Sequence, residues 1–102
     1  MNRFALTPRA KADIFTIWRF IAQDNEAAAD RVERQIFEAC ASLAEAPLSG
    51  HTRTDLTSRP VRFWTLPRYP NYTLVYLPEA IPLRIISVLH GKRNIAGVLR
   101  KR

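Results

Sequence analysis

The sequence predicts an α+β domain in which an antiparallel helical hairpin packs on one face of a three- to four-stranded, mainly antiparallel sheet, in the order β-α-α-β-β-β. Three observations carry this prediction. Before Pro47, apolar residues recur every three or four positions in two separate runs, which is the helical period. After Gly50 the period shifts toward two, that of a strand. The gaps between the later apolar runs are short and marked by prolines, which suits antiparallel neighbours, because a parallel crossover needs roughly a dozen residues or more.

Arg3-Phe4-Ala5-Leu6 is a short candidate strand, closed by Thr7-Pro8, and a threonine N-cap followed by proline at the first helical position starts a helix well. Ala10, Ile14, Ile17, Trp18 and Ile21 then form one apolar stripe on a helix of about four turns, with Trp18 expected in the core. Asp24-Asn25 breaks this helix and is suited to cap the next. The second helix places Ala29, Val32, Ile36, Cys40 and Leu43 on one face and ends by Pro47 and Gly50. Residues 51–60 are polar and turn-rich. Strands follow at Val61 to Leu66, Tyr72 to Leu77 and Leu83 to Leu89, separated by Pro67 and Pro70 and then by Pro78 and Pro82. The tail from Ile95 to Arg102 is basic, with Ile95, Val98 and Leu99 available to dock it as a short helix.

Strict alternation would point Tyr72, Leu74 and Tyr76 to one face and Thr73, Val75 and Leu77 to the other, and would set Leu83, Ile85 and Leu89 against Ile86 and Val88. Both sheet faces are then apolar, whereas the hairpin covers one. The second face is expected to be closed by the C-terminal tail, by self-association or by a partner chain.

A chain of 102 residues is expected to form a single domain over 1–102, burying roughly two-thirds of the surface it exposes when unfolded. The lone Cys40 has no partner for an internal disulfide, and two histidines with one distant cysteine give no zinc-ligand spacing, so neither metal nor cofactor is expected. No run approaches the ~20 apolar residues of a membrane span, and the N-terminus lacks the apolar stretch of a signal peptide, so a cytoplasmic protein without a membrane partner is expected. Charge is lopsided. Residues 1–50 hold six Lys/Arg and seven Asp/Glu, 6 − 7 = −1, whereas residues 51–102 hold ten and two, 10 − 2 = +8, together the net +7. Net charge acts on association rather than topology, which points to an anionic partner.

Ala10-Lys11-Ala12-Asp13-Ile14, Leu43-x-x-x-Pro47-x-x-Gly50, an Arg62-bearing strand, Tyr72-Thr73-Leu74-Val75-Tyr76 and Ile86-Ser87-Val88-Leu89-His90-Gly91-Lys92-Arg93-Asn94 occur in that order. In order, spacing and total length this pattern resembles the toxins of the ParE/RelE superfamily, and within it the ParE-like branch. The resemblance implies the toxin of a type II toxin–antitoxin module, a plasmid or chromosomal stability system. ParE-like members are inhibitors of DNA gyrase without an established catalytic activity. RelE-like members use the same fold to cut messenger RNA on the ribosome, which is the alternative function. The implied partners are a cognate ParD-like antitoxin, whose flexible, often acidic segment folds along the toxin's helices and sheet, and gyrase as target, with the ribosome and its mRNA as the alternative.

Metal-free RNA cleavage needs a base, an acid and a cation against the charge developing on phosphorus. His90 or His51 would be acid or base, Tyr72 or Tyr76 an acid, and Arg62, Arg68 or Arg84 the cation. His90, followed by Lys92 and Arg93, is the best single catalytic candidate. A complete set of the RelE-like kind does not map onto this chain, so action by binding is expected. The residues expected to contact the target are Arg62, Arg68, Arg84, His90, Lys92 and Arg93, with Arg62 and Arg84 on one face in the simplest register. The antitoxin is expected on the exposed edges of helices 8–45 and on the open sheet face. His51 reads as a loop histidine, Trp64 and Tyr69 as packing residues able to stack on bases, and Arg100-Lys101-Arg102 as a solvated tail.

Overall fold

The computed structural model describes residues 4–91, in the order β1 (Phe4–Leu6), α1 (Pro8–Ala22), α2 (Glu26–Glu45), a 3₁₀ turn (Pro47–Ser49), β2 (Arg62–Thr65), β3 (Tyr72–Leu77) and β4 (Leu83–His90). The tail from Ile95 to Arg102, like Lys92 and Arg93, lies outside the described residues. Both helix starts follow from their caps. The Thr7 side chain accepts from the Ala10 N–H with Pro8 in the first helical turn, and Asn25 accepts from the Ala28 N–H to open α2. Thr7 is also tied to the sheet, its N–H donating to the Ile85 carbonyl and its hydroxyl to the Ile86 carbonyl.

The sheet order is β1-β4-β3-β2. β1 runs parallel to β4, while β2–β3 and β3–β4 are antiparallel. The helical hairpin lies on one face, where Ala10, Ile14, Ile17, Val32, Ile36, Cys40 and Leu43 meet Tyr72, Leu74, Tyr76, Leu83, Ile85 and Val88. Ile21, Trp64 and Tyr69 pack half-buried against this core. Trp18, expected in the core, is only half-buried. Its indole N–H needs a partner, and it reaches Asp30 Oδ1 at 2.9 Å on the rim of the hairpin.

The structure departs from strict alternation in β4. Val75 pairs with Ser87 and Tyr76 with Ile85, so Ile86 is an extra residue opposite β3. Such a bulge exchanges the faces of everything beyond it. Val88 therefore joins Leu83 and Ile85 under the helices, and Leu89 joins Ile86 on the far face, the reverse of the expected assignment. On that far face Val61, Phe63, Val75, Ile86 and Leu89 are buried and form a second, smaller core with half-buried Leu77. The apolar residues of that face are thus not left open to solvent, and the tail expected to close it lies outside the described residues.

The bulge is held from α1. Asp13 Oδ2 accepts from Ser87 Oγ at 2.9 Å and from the Val88 N–H at 3.0 Å, while Asp13 Oδ1 receives Arg9 Nε at 3.1 Å. A second tie joins the end of α2 to the sheet. The Tyr76 hydroxyl donates to the Pro47 carbonyl at 2.6 Å and accepts from the Gly50 N–H at 2.9 Å. Only glycine fits at position 50, since an added Cβ would lie 2.6 Å from Tyr76 Oη and 2.8 Å from the Phe63 carbonyl oxygen.

Candidate functional site

Of the six charged or titratable residues expected at the target site, Lys92 and Arg93 lie outside the described residues, and the other four are divided between the two ends of the sheet. Cross-strand partners share a face, so Arg62 opposite Tyr76, itself opposite Ile85, lies on the helix side. Arg84 pairs with Leu77 on the other side and is exposed. The expectation that Arg62 and Arg84 share a face is corrected by this register. Arg62 is half-buried and donates to the Gly50 carbonyl at 2.8 Å, reinforcing the Tyr76 tie. Both arginines lie at the end of the sheet where β2 begins, about 20 Å along β4 from His90 at ~3.3 Å per residue.

The opposite end is different. His90 closes β4 rather than following it, directly across from Tyr72. The two rings stack with centroids 4.9 Å apart and planes at 28°, and the Phe20 ring of α1 lies 6.4 Å from His90, tilted by 48°. Arg68 is exposed in the β2–β3 connection at this same end, and Gly91 donates its N–H to the Asn71 carbonyl, turning the chain at φ 70° toward Lys92 and Arg93 in sequence. Burial raises the Tyr72 phenol above its ordinary 10, which keeps it neutral. Tyr76 is raised by burial as well, against the opposing effects of its Gly50 hydrogen bond and the Arg62 charge, and its hydroxyl is committed to Pro47 and Gly50. His51 is exposed and forms an isolated bridge with Phe63, far from His90 in the chain.

A second surface lies between α1, α2 and the edge strand β1. Phe15 and Phe37 remain 59% and 37% exposed, and with Trp18, Ile14 and Leu6 they line a groove of about 400 Å³ rimmed by Lys11, Asp30 and Glu33. Phe4 and Pro82 continue the apolar wall along β1, Phe4 lying 6.4 Å from Phe37 ring to ring. The stripe Ala10-Ile14-Ile17-Ile21 saturates the core, so Phe15 is outside it. A sequence signal for this groove existed in the phenylalanines at 15 and 37, which fall off both apolar stripes.

Cys40 is buried in the main core, and burial pushes its thiol up to about 12, so it is an inert packing residue. Among the described residues no group of three or more His, Cys, Asp or Glu is arranged to hold a metal ion, and no helix is long and apolar enough to cross a membrane.

No curated protein matches the sequence. A solved structure of the chromosomal ParDE TA system from P. aeruginosa superposes with a TM-score of 0.71 at 19% identity, covering 87% of this chain and 95% of that one. At that identity the likeness concerns the fold, including the initial strand, the helical pair and the mixed four-stranded sheet. The family model for the ParE toxin of the type II toxin–antitoxin system parDE matches residues 4–95, almost the whole length, and the chain therefore belongs to the ParE toxin family.

Proposed function

We propose that the protein is a toxin that binds and inhibits DNA gyrase, and that a cognate ParD-like antitoxin with an acidic segment neutralises it. The family match over residues 4–95 carries this reading. It is supported by how the groups that RNA cleavage would recruit are used. Tyr76 and Arg62 are tied to the Pro47–Gly50 turn, and the Tyr72 phenol is buried under His90. Arg68 and His90, with Lys92 and Arg93 following in sequence, make the target-facing end, and exposed Arg84 extends cationic charge onto the far face. The groove of Phe15, Trp18 and Phe37 receives an apolar helix of the antitoxin, a common mode of recognition, while the antitoxin's acidic segment runs over the basic half of the chain.

The test is a gyrase supercoiling reaction with purified, antitoxin-free protein. Lost supercoiling and trapped cleavage product, both reversed by the antitoxin encoded beside it, are expected. An unaffected gyrase together with cleavage of messenger on ribosomes, abolished by His90→Ala, would instead establish the RelE-like endonuclease function.

A further inference from the structure

α1 carries a second exposed aromatic surface, apart from the groove. Phe20 is 63% exposed although it belongs to a helix with a complete apolar stripe of its own. At 100° per residue it lies about 140° around the helix from Phe15, so the two rings face different neighbours. Phe15 borders α2 and β1, whereas Phe20 overhangs the last residues of β4. There it forms one wall of a concavity of about 510 Å³ whose floor is Ile17 and Val88 and whose rim holds Arg9, Asp13 and His90. An isolated exposed phenylalanine means little, but this one is continuous with the His90 and Tyr72 rings, three aromatic groups in a row at one end of the sheet.

We infer that this concavity is an anchoring pocket for a protein target, and that Phe20 is its principal contact. Its occupant is an acidic protein surface that presents one apolar side chain. The apolar part follows from the floor of Ile17 and Val88 with the Phe20 wall, which a side chain fills and desolvates. The acidic part follows from the cations around it: Arg9 on its rim, Arg19 exposed beside Phe20, and Arg68 exposed at the same sheet end. A nucleic-acid backbone fits less well, because the Asp13 carboxylate borders the pocket and a phosphate offers nothing to the apolar floor. Asp13 also holds Ser87 and Val88, next to the bulge at Ile86, on one side of the pocket, so the wall formed by β4 is preorganised. The inference rests on the gyrase reading for the identity of the target and adds to it the site and the residue that engage it.

The experiment measures binding of the full chain, wild type and Phe20→Ala, to gyrase and separately to the cognate antitoxin, with thermal unfolding of each protein alongside. Phe20 is mostly solvated, so the variant is expected to fold with an unchanged Tm. Its affinity for gyrase is expected to fall by about tenfold or more, with antitoxin affinity retained and with Phe20→Leu, which still fills the pocket, recovering much of the loss. Gyrase affinity within about threefold of wild type would overturn the inference, as would an equal loss of antitoxin affinity. Competition of gyrase binding by duplex DNA alone, in a manner that depends on Phe20, would also overturn it by assigning the pocket to nucleic acid. If wild-type protein does not bind gyrase at all, the gyrase reading itself fails, and that outcome is visible before any variant is compared.

Discussion

At the scale of single residues, chemistry is decided by who already holds each side chain. Cys40 illustrates this with a sign that can be worked out. Its thiol ionises near 9.0 in an unfolded chain but is pushed up to about 12 in the core because burial disfavours the thiolate. Above pH 9 the unfolded state therefore binds fewer protons than the native one, so stability is full below that pH and falls as pH rises toward 12, at about 1.4 kcal/mol per pH unit. Tyr72 and Tyr76, raised from 10.0 by burial, add a loss of the same sign at higher pH. Denaturant unfolding of wild type and Cys40→Ala between pH 8 and pH 10 is expected to show the decline beginning near pH 9.0 in wild type and much flattened in the variant. Equal slopes would mean that Cys40 is not the group responsible. The same accounting applies to Arg62 and Tyr76, whose structural ties residue type alone does not reveal. Each has the right chemistry for a phosphate-handling site, and each also bonds the turn after α2, Arg62 through the Gly50 carbonyl and the Tyr76 hydroxyl through Pro47 and Gly50. Nothing in a linear sequence shows that Gly50 sits against them.

At the scale of elements, periodicity located nearly everything. The helix starts followed from Thr7-Pro8 and Asn25, and β3 from Tyr72 to Leu77 fell on its expected bounds. What periodicity could not supply was pairing. The parallel contact between β1 and β4 joins residues about 80 apart in the chain, a separation read from Phe4↔Leu83 that no local pattern encodes. The bulge at Ile86 is equally silent, since Ile-Ile-Ser-Val-Leu is apolar on either face whichever way it is threaded. Asp13 was visible as part of a motif, but its purpose is clear only once the bulge is seen: it satisfies the Val88 N–H and the Ser87 hydroxyl. Asp13→Ala would leave partly buried donors without that acceptor, and a cost of about 1–3 kcal/mol is expected. Asp13→Asn, which keeps a carbonyl oxygen at the same position, is expected to lose less. Urea unfolding gives the size of the effect, and hydrogen exchange at the Val88 amide gives its location. If Val88 exchange in Asp13→Ala matched wild type relative to global stability, the carboxylate would not be what holds the bulge.

At the scale of the whole molecule, charge and apolar surface are divided between the two halves of the chain. Residues 51–102 carry +8 and residues 1–50 carry −1, while the apolar groove of Phe15, Trp18 and Phe37 belongs mostly to the first half and has Asp30 and Glu33 on its rim. An antitoxin that is acidic in one segment and apolar in another would therefore meet two surfaces with different physics. Long-range attraction to the basic half acts during approach, and its reach shrinks as the Debye length falls from about 10 Å at 0.1 M salt to about 3 Å at 1 M. Burial of Phe15 acts after contact and is little affected by screening. The rate constants should separate accordingly. Raising salt across that range is expected to slow association by about tenfold or more, leaving dissociation nearly constant. Phe15→Ala, a change on a ring 59% exposed in the free protein, is expected to speed dissociation by about tenfold and to leave association and its salt dependence almost as they were. Surface plasmon resonance with the antitoxin immobilised resolves both rates. An association rate indifferent to salt would mean that the antitoxin does not recognise the basic half. A dissociation rate indifferent to Phe15 would remove the hairpin groove from the interface, leaving the charge of the second half as the principal determinant of binding.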